Sequence, residues 1–151
     1  GHNYNVKELV LDNELVKSYQ KGSYLVIYLS PRNYHRFHLP IDGVIDNIKE
    51  IPAMCFPVNN FGTKLVKNLY AVNERIVVNI NNKEHKICMI IVGACAVRGI
   101  KILKQKGQRV NKGEELGFFE LGSSIVLLSN DSDTFKKNLT KLELKARALL
   151  F

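Results

Sequence analysis

The stretch Phe118-Phe119-Glu120-Leu121-Gly122-Ser123-Ser124-Ile125-Val126-Leu127-Leu128 decides how the rest of the chain is read. Two apolar runs of strand length flank a Gly-Ser-Ser triplet. Two local structures fit it. One is a hairpin closed by a Gly-Ser turn, which spacing alone favours. The other is a strained turn at Gly122, whose backbone reaches angles that other residues resist. Such a turn brings the Ser123 hydroxyl toward the carbonyl carbon of Gly122.

Working outward, residues 112–117 (KGEELG) form a turn that feeds the run at Phe118. Residues 75–80 (RIVVNI) and 86–97 (KICMIIVGACAV) read as paired strands around an Asn81-Asn82 turn, with a further strand over 99–103. Residues 24–29 (YLVIYL) have strand length and end at Ser30-Pro31-Arg32-Asn33, because proline cannot donate to a ladder. Asp42-Gly43 turns the chain into another strand at Val44. Pro52 and Pro57 interrupt 48–58, and 59–73 reads as a polar loop with a cluster of Leu65, Val66, Leu69 and Tyr70. At the start, Asn5 can cap a helix carrying Val6, Leu9, Val10 and Leu15, closed by Lys21-Gly22. At the end, Asp131, Ser132 and Asp133 can cap another, with Phe135, Leu139, Leu142, Ala146 and Leu149 at helical spacing. The expected fold is strand-dominated α+β: an antiparallel barrel- or sandwich-like sheet with flanking helices at the two ends. The whole span, 1–151, is expected to be a single domain.

The bulk properties narrow the function classes. A chain of 151 residues with 46% hydrophobic content can bury a real core. The longest nearly apolar run, 87–97, is too short to span a bilayer. No signal peptide is visible, and the absence of an initiator methionine before Gly1-His2-Asn3-Tyr4 suggests a fragment. The net charge of +8 favours anionic partners, but no nucleic-acid recognition motif accompanies it. A lysine-rich soluble surface and attraction to an acidic membrane are the competing explanations. Cys55, Cys88 and Cys95 form no CxxC pair, so core thiols are expected rather than disulfides or a structural zinc.

His35 and His38 stand three apart after the proline break, beside Arg32, Tyr34 and Arg36. A metal site would need more ligands; His2, His85 and Asp42 are available, but no spacing commends them, so no metal is expected. Acid-base work by the imidazoles fits as well.

With these blocks in view, the sequence resembles the phosphatidylserine decarboxylase proenzymes, a self-cleaving family that makes its own pyruvoyl cofactor. The resemblance rests on GHNY at 1–4, YLSPRNYHRFHLP at 28–40 with Asp42-Gly43, NERI at 73–76, IVGA at 91–94, KGEELGFF at 112–119 and LGSS at 121–124. It implies autoendoproteolysis between Gly122 and Ser123, giving a large and a small subunit from one proenzyme. Ser123 would attack the Gly122 carbonyl and end as the pyruvoyl group. By family position His38 is the base of a serine-protease-like triad, and His35 handles a proton in decarboxylation. The activity implied is conversion of phosphatidylserine to phosphatidylethanolamine through a Schiff base on the pyruvoyl ketone. The resemblance further implies a homodimer, peripheral on an anionic membrane surface: the bacterial inner membrane, or a mitochondrial or endoplasmic reticulum membrane. No nucleic-acid partner is implied.

The sequence departs from the family in two places. The triad aspartate belongs upstream of GHNY, before the first residue here; Asp42 has a similar context at a different family position. The segment 97–112 is shorter than in the family. Two other functions compete: a non-catalytic barrel-sandwich carrier or lipid-surface module, and a serine hydrolase using Ser123 and His38, for which the G-x-S-x-G elbow is missing.

Overall fold

The computed structural model describes residues 5–94, 99–120 and 123–135. The described residues open with two short helices, α1 (Val6–Val10) and α2 (Asn13–Tyr19). Asn5 caps the first, accepting the Lys7 N–H at 2.9 Å. The single helix expected up to Lys21 is broken, because Leu11 takes a left-handed conformation (φ 49°) and Asp12 then caps a new helix through the N–H groups of Glu14 and Leu15.

Nine strands follow among the described residues: β1 (Ser23–Leu29), β2 (Arg36–His38), β3 (Gly43–Ile51), β4 (Arg75–Asn81), β5 (Lys86–Val92), β6 (Ile100–Ile102), β7 (Arg109–Val110), β8 (Glu115–Phe119) and β9 (Ser123–Ser129). Two small helices, α3 (Asn60–Leu65) and α4 (Leu69–Val72), lie between β3 and β4. The fold is therefore strand-dominated α+β, as expected. Its strands form a six-stranded sheet in the order β1-β9-β5-β4-β3-β7 and a three-stranded sheet in the order β2-β8-β6, antiparallel throughout. The larger sheet ends at β1 and β7 and does not close into a barrel, which leaves the sandwich-like half of the expectation.

The β4–β5 hairpin forms as read, with its turn moved one residue on, because Asn81 still pairs with Lys86. Residues 59–73 differ from the loop reading. Asn59 accepts the N–H groups of Phe61 and Gly62 and starts α3, a local cap that can be strong without any apolar periodicity. The expected C-terminal helix falls mostly on residues after Phe135, outside those described.

The decisive difference concerns the two runs around Gly122. They do not form a hairpin. β8 pairs with β2 and β6, whereas β9 lies between β1 and β5 in the other sheet. The chain therefore belongs to one sheet up to Phe119 and to the other from Ser123.

Burial explains why each run went where it did. All seven residues of β9 are buried, as a strand flanked on both sides requires, and its Ile125-Val126-Leu127-Leu128 core is apolar on both faces. Edge strand β1 alternates half-buried and exposed positions. β8 is buried at Leu116, Gly117 and Phe119, and Phe119 packs on Phe37 of β2 with ring centroids 5.1 Å apart. Gly117 permits this closeness: a Cβ there would meet the Lys101 carbonyl oxygen at 2.0 Å and the Phe37 ring at 2.9 Å.

One charged side chain ties the helices to the larger sheet. Arg75, 2% exposed, donates to the carbonyls of Leu9, Glu8, Ala71 and Asn73, each at 2.7–2.8 Å. Loss of water lowers its pKa, but four carbonyl dipoles replace the hydration of the guanidinium.

Candidate active site

Ser123 is the first residue of β9, with no exposed surface. Its backbone faces Leu29 of β1, and its Oγ donates to the Val92 carbonyl of β5. The hydroxyl is thus held at one end of the larger sheet, where β1, β5 and β9 meet. Gly122, the expected partner in cleavage, lies outside the described residues.

Side-chain alternation separates the two serines of the triplet. Ser124 pairs with Tyr28 on β1 and with Val92 on β5. Its face is the one that meets Tyr70 of α4: burial raises the Tyr70 pKa, and the Ser124 hydroxyl partly offsets that rise. Ser123 points to the opposite face. Ser124 Oγ is buried without a hydrogen bond of good geometry among the described residues.

The histidines come from a short, locally braced segment. Ser30-Pro31-Arg32-Asn33 forms a tight turn in which the Asn33 N–H donates to the Ser30 carbonyl at 2.8 Å and Asn33 Oδ1 accepts the Ser30 N–H at 2.7 Å. His35 follows. Its carbonyl accepts the Phe119 N–H at 2.9 Å, and its Nε2 lies 3.1 Å from the Ser30 carbonyl oxygen. Ser30 is the next residue after Leu29, the register partner of Ser123. These steps bring His35 to the end of the sheets where Ser123 sits.

His38 is placed differently. It is opposite Glu115 after a register shift in β2. Glu115 and Phe119 are four positions apart on β8, about 14 Å of extended chain. The His38 ring is fixed at both nitrogens: Nε2 is 2.9 Å from the Tyr34 hydroxyl and Nδ1 is 3.0 Å from the Gly113 carbonyl oxygen. It also stacks on Tyr34, with centroids 5.8 Å apart and planes 8° from parallel. Only Nδ1–H can donate to a carbonyl, so the neutral ring presents Nε2 as an acceptor for Tyr34. Among the described residues, Ser123 Oγ hydrogen-bonds neither imidazole.

The remaining polar candidates do not join this cluster. Asp42 Oδ1 accepts the Lys112 N–H, and His85 sits in the β4–β5 turn. Cys88 is fully buried and its thiol pKa is pushed well up, as a core thiol should be; Cys95 lies outside the described residues.

One contributor escaped the sequence reading. Asn73 has no exposed surface; its Oδ1 accepts the Phe56 N–H, and its Nδ2 donates to the carbonyls of Phe56 and, at 2.9 Å, Gly93. It thereby fixes the strand end that carries the Val92 carbonyl. Its place in the NERI block was the available signal, but nothing local said that its side chain turns inward.

Ser123 is thus buried at the start of a strand held between β1 and β5, downstream in the chain of a histidine pair. The family model described as phosphatidylserine decarboxylase matches residues 1–148. The chain belongs to the phosphatidylserine decarboxylase family. It is 38% identical to a phosphatidylserine decarboxylase proenzyme of Myxococcus xanthus over 144 residues, covering 85% of this chain and 51% of the relative. Proenzymes of the same name from Methylobacillus flagellatus and Acinetobacter baumannii are 35% and 33% identical, with 52% and 50% of their lengths covered. The chain thus spans about half the length of the curated relatives it matches. No described helix is long and apolar enough to cross a membrane.

Proposed function

We propose that this chain carries the self-cleaving and decarboxylating centre of a phosphatidylserine decarboxylase. In this reading Ser123 Oγ attacks the Gly122 carbonyl carbon while an imidazole takes its proton. The peptide C–N bond breaks, the amine of residue 123 receives the proton, and an ester remains. Removal of the α-proton of residue 123 expels the Gly122 carboxylate, and addition of water with loss of ammonia leaves a pyruvoyl ketone at the head of the small subunit. The ketone supplies an electron sink for the carboxylate of phosphatidylserine, and phosphatidylethanolamine is the product.

The observation that carries this reading is the burial of Ser123 at the point where the chain leaves one sheet for the other. Residue 123 is anchored through β9 to β1 and β5, so it stays in place when the bond before it is cut. Its fully buried position also suits a reactive carbonyl, which bulk water would otherwise hydrate.

The resemblance assigns the base of cleavage to His38 and the proton of decarboxylation to His35. The register favours a second reading in which His35 is the base, since its ring reaches the residue after Leu29 while His38 is held by Tyr34 and Gly113. A homodimer and attachment to an anionic membrane surface belong to the same proposal.

The test is a denaturing gel with intact mass on the full-length protein. Two bands are expected, the smaller starting at residue 123, blocked to amine chemistry and light by the mass lost as ammonia. Ser123→Ala should give one band and no phosphatidylethanolamine. An intact wild-type chain would leave the non-catalytic module as the better account.

A further inference from the structure

The stretch between β3 and β4 has a composition unlike the rest of the chain. From Ile51 to Asn73 there is no Asp or Glu, and the charged residues are Lys64 and Lys67. Both lysines are exposed, and neither forms an ion pair among the described residues. Beside them stand large apolar side chains in water: Met54 is 62% exposed, Phe61 70% and Leu65 67%. Phe61 and Leu65 are four apart on α3, so they share one face. Single exposed apolar residues are ordinary, but three within twelve positions, flanked by unpaired lysines, are not.

The stretch is firmly rooted. Met54 bridges Asn73, the Glu74 N–H donates to the Met54 carbonyl at 2.7 Å, and Asn73 grips Phe56 and Gly93. A Cβ on Gly62 would lie 1.8 Å from the Pro57 carbonyl oxygen, so α3 rests directly on the loop beneath it. The exposed side chains are therefore presented by a braced element. The nearest carboxylates along the chain, Glu50 and Glu74, lie at its roots, and Glu8 is engaged by Asn68 at 3.0 Å.

The roots reach the candidate site. Gly93, bonded by Asn73, follows Val92, whose carbonyl accepts the Ser123 hydroxyl, and Tyr70 of α4 faces Ser124. We propose that the 52–67 segment is a membrane-docking element, with Met54, Phe61 and Leu65 entering the boundary between headgroups and acyl chains and Lys64 and Lys67 meeting anionic phosphates. The occupant is an acidic bilayer rather than a protein, because apolar tips interleaved with cations and free of acid match the layering of such a surface. Docking there sets the end of the β1-β5-β9 sheet toward the lipid. This inference rests on the lipid-decarboxylase reading for its purpose, but not for its test.

The test is flotation of the full-length protein with vesicles of phosphatidylcholine alone or mixed with phosphatidylglycerol, an anionic lipid that is not the proposed substrate. The wild type should float with the mixed vesicles and be released by salt. Lys64→Gln with Lys67→Gln should weaken partitioning roughly five-fold per charge removed. Phe61→Ser with Leu65→Ser should weaken it at least about ten-fold. Both pairs should keep self-cleavage, melting temperature and turnover of short-chain phosphatidylserine dispersed below its micelle concentration. Unchanged flotation of both pairs overturns the proposal. So does loss of a dimer with vesicle binding intact, which would make the surface a protein interface. A protein that decarboxylates nothing yet loses flotation in these variants would sink the enzymatic reading and leave the docking element standing.

Discussion

β9 and the segment from Tyr34 to His38 both carry candidate chemistry, and they are held in opposite ways. β9 has strand partners on both sides and seven buried residues. β2 is three residues long, carries a register shift, and buries only Phe37. The serine is placed by the sheet. The histidines are placed by a turn at Ser30–Asn33, two backbone carbonyls and the Tyr34 ring. On the proposed roles, a nucleophile that must survive cleavage of its own backbone gains from the first arrangement. A base that must approach and retreat gains from the second, since a short strand and a turn shift more easily than a strand inside a sheet.

The largest effect that would sharpen this contrast is on activity. On the roles carried over from the family, His38→Ala should leave the proenzyme in one piece. His35→Ala should cleave, yet lose about 10²-fold or more in decarboxylation. Gel and product assay read the two outcomes separately, and the reverse pattern would move the base to the histidine that the register brings toward Ser123.

Stability should separate the regions next. Ile125→Ala removes a buried side chain from the interior of β9 and should cost about 2–5 kcal/mol in denaturant unfolding. Arg36→Ala removes a half-exposed ion pair with Glu115 and a cation stacked 5.2 Å from the Phe118 ring on the β2–β8 face, and should cost only about 1 kcal/mol. Equal losses would mean that β2 is as tightly integrated as β9.

The smallest effect is one of pH. Lys104 and then Asn111 hold the Glu114 carboxylate below its ordinary pKa of 4.5, in the turn whose carbonyls face His38 and Leu39. A lowered carboxylate pKa stabilises the fold above the unfolded value, and that contribution disappears as pH falls through the folded one. Glu114→Gln should therefore melt slightly below the wild type at pH 7, with the two curves converging in acid.

Local patterns made much of this legible. The apolar run YLVIYL and the Asn-Asn turn between two apolar runs act over a few residues and produced a strand and a hairpin, and the Asn5 cap started a helix shorter than expected. Leu11 escaped because its left-handed backbone follows from the competing Asp12 cap, not from its own side chain. The α3 helix escaped because a cap without apolar spacing looks like a loop. His35 and His38 were found as a pair, but that one is held at the Ser30 carbonyl and the other opposite Glu115 depends on a strand register that no short window contains.

The sequence by itself determined the strand content, the Gly-Ser-Ser triplet between two strands, the histidine pair and, through widely separated motifs, the family. Tertiary structure alone decided that the two runs around Gly122 part into different sheets, that the Ser123 hydroxyl meets the Val92 carbonyl, and that the acid-free 52–67 segment roots itself beside the same strand end. The physical reason is range. Backbone propensity and caps are settled by neighbours a few residues away, whereas the choice of strand partner depends on which buried faces, brought together from across the whole chain, exclude water best.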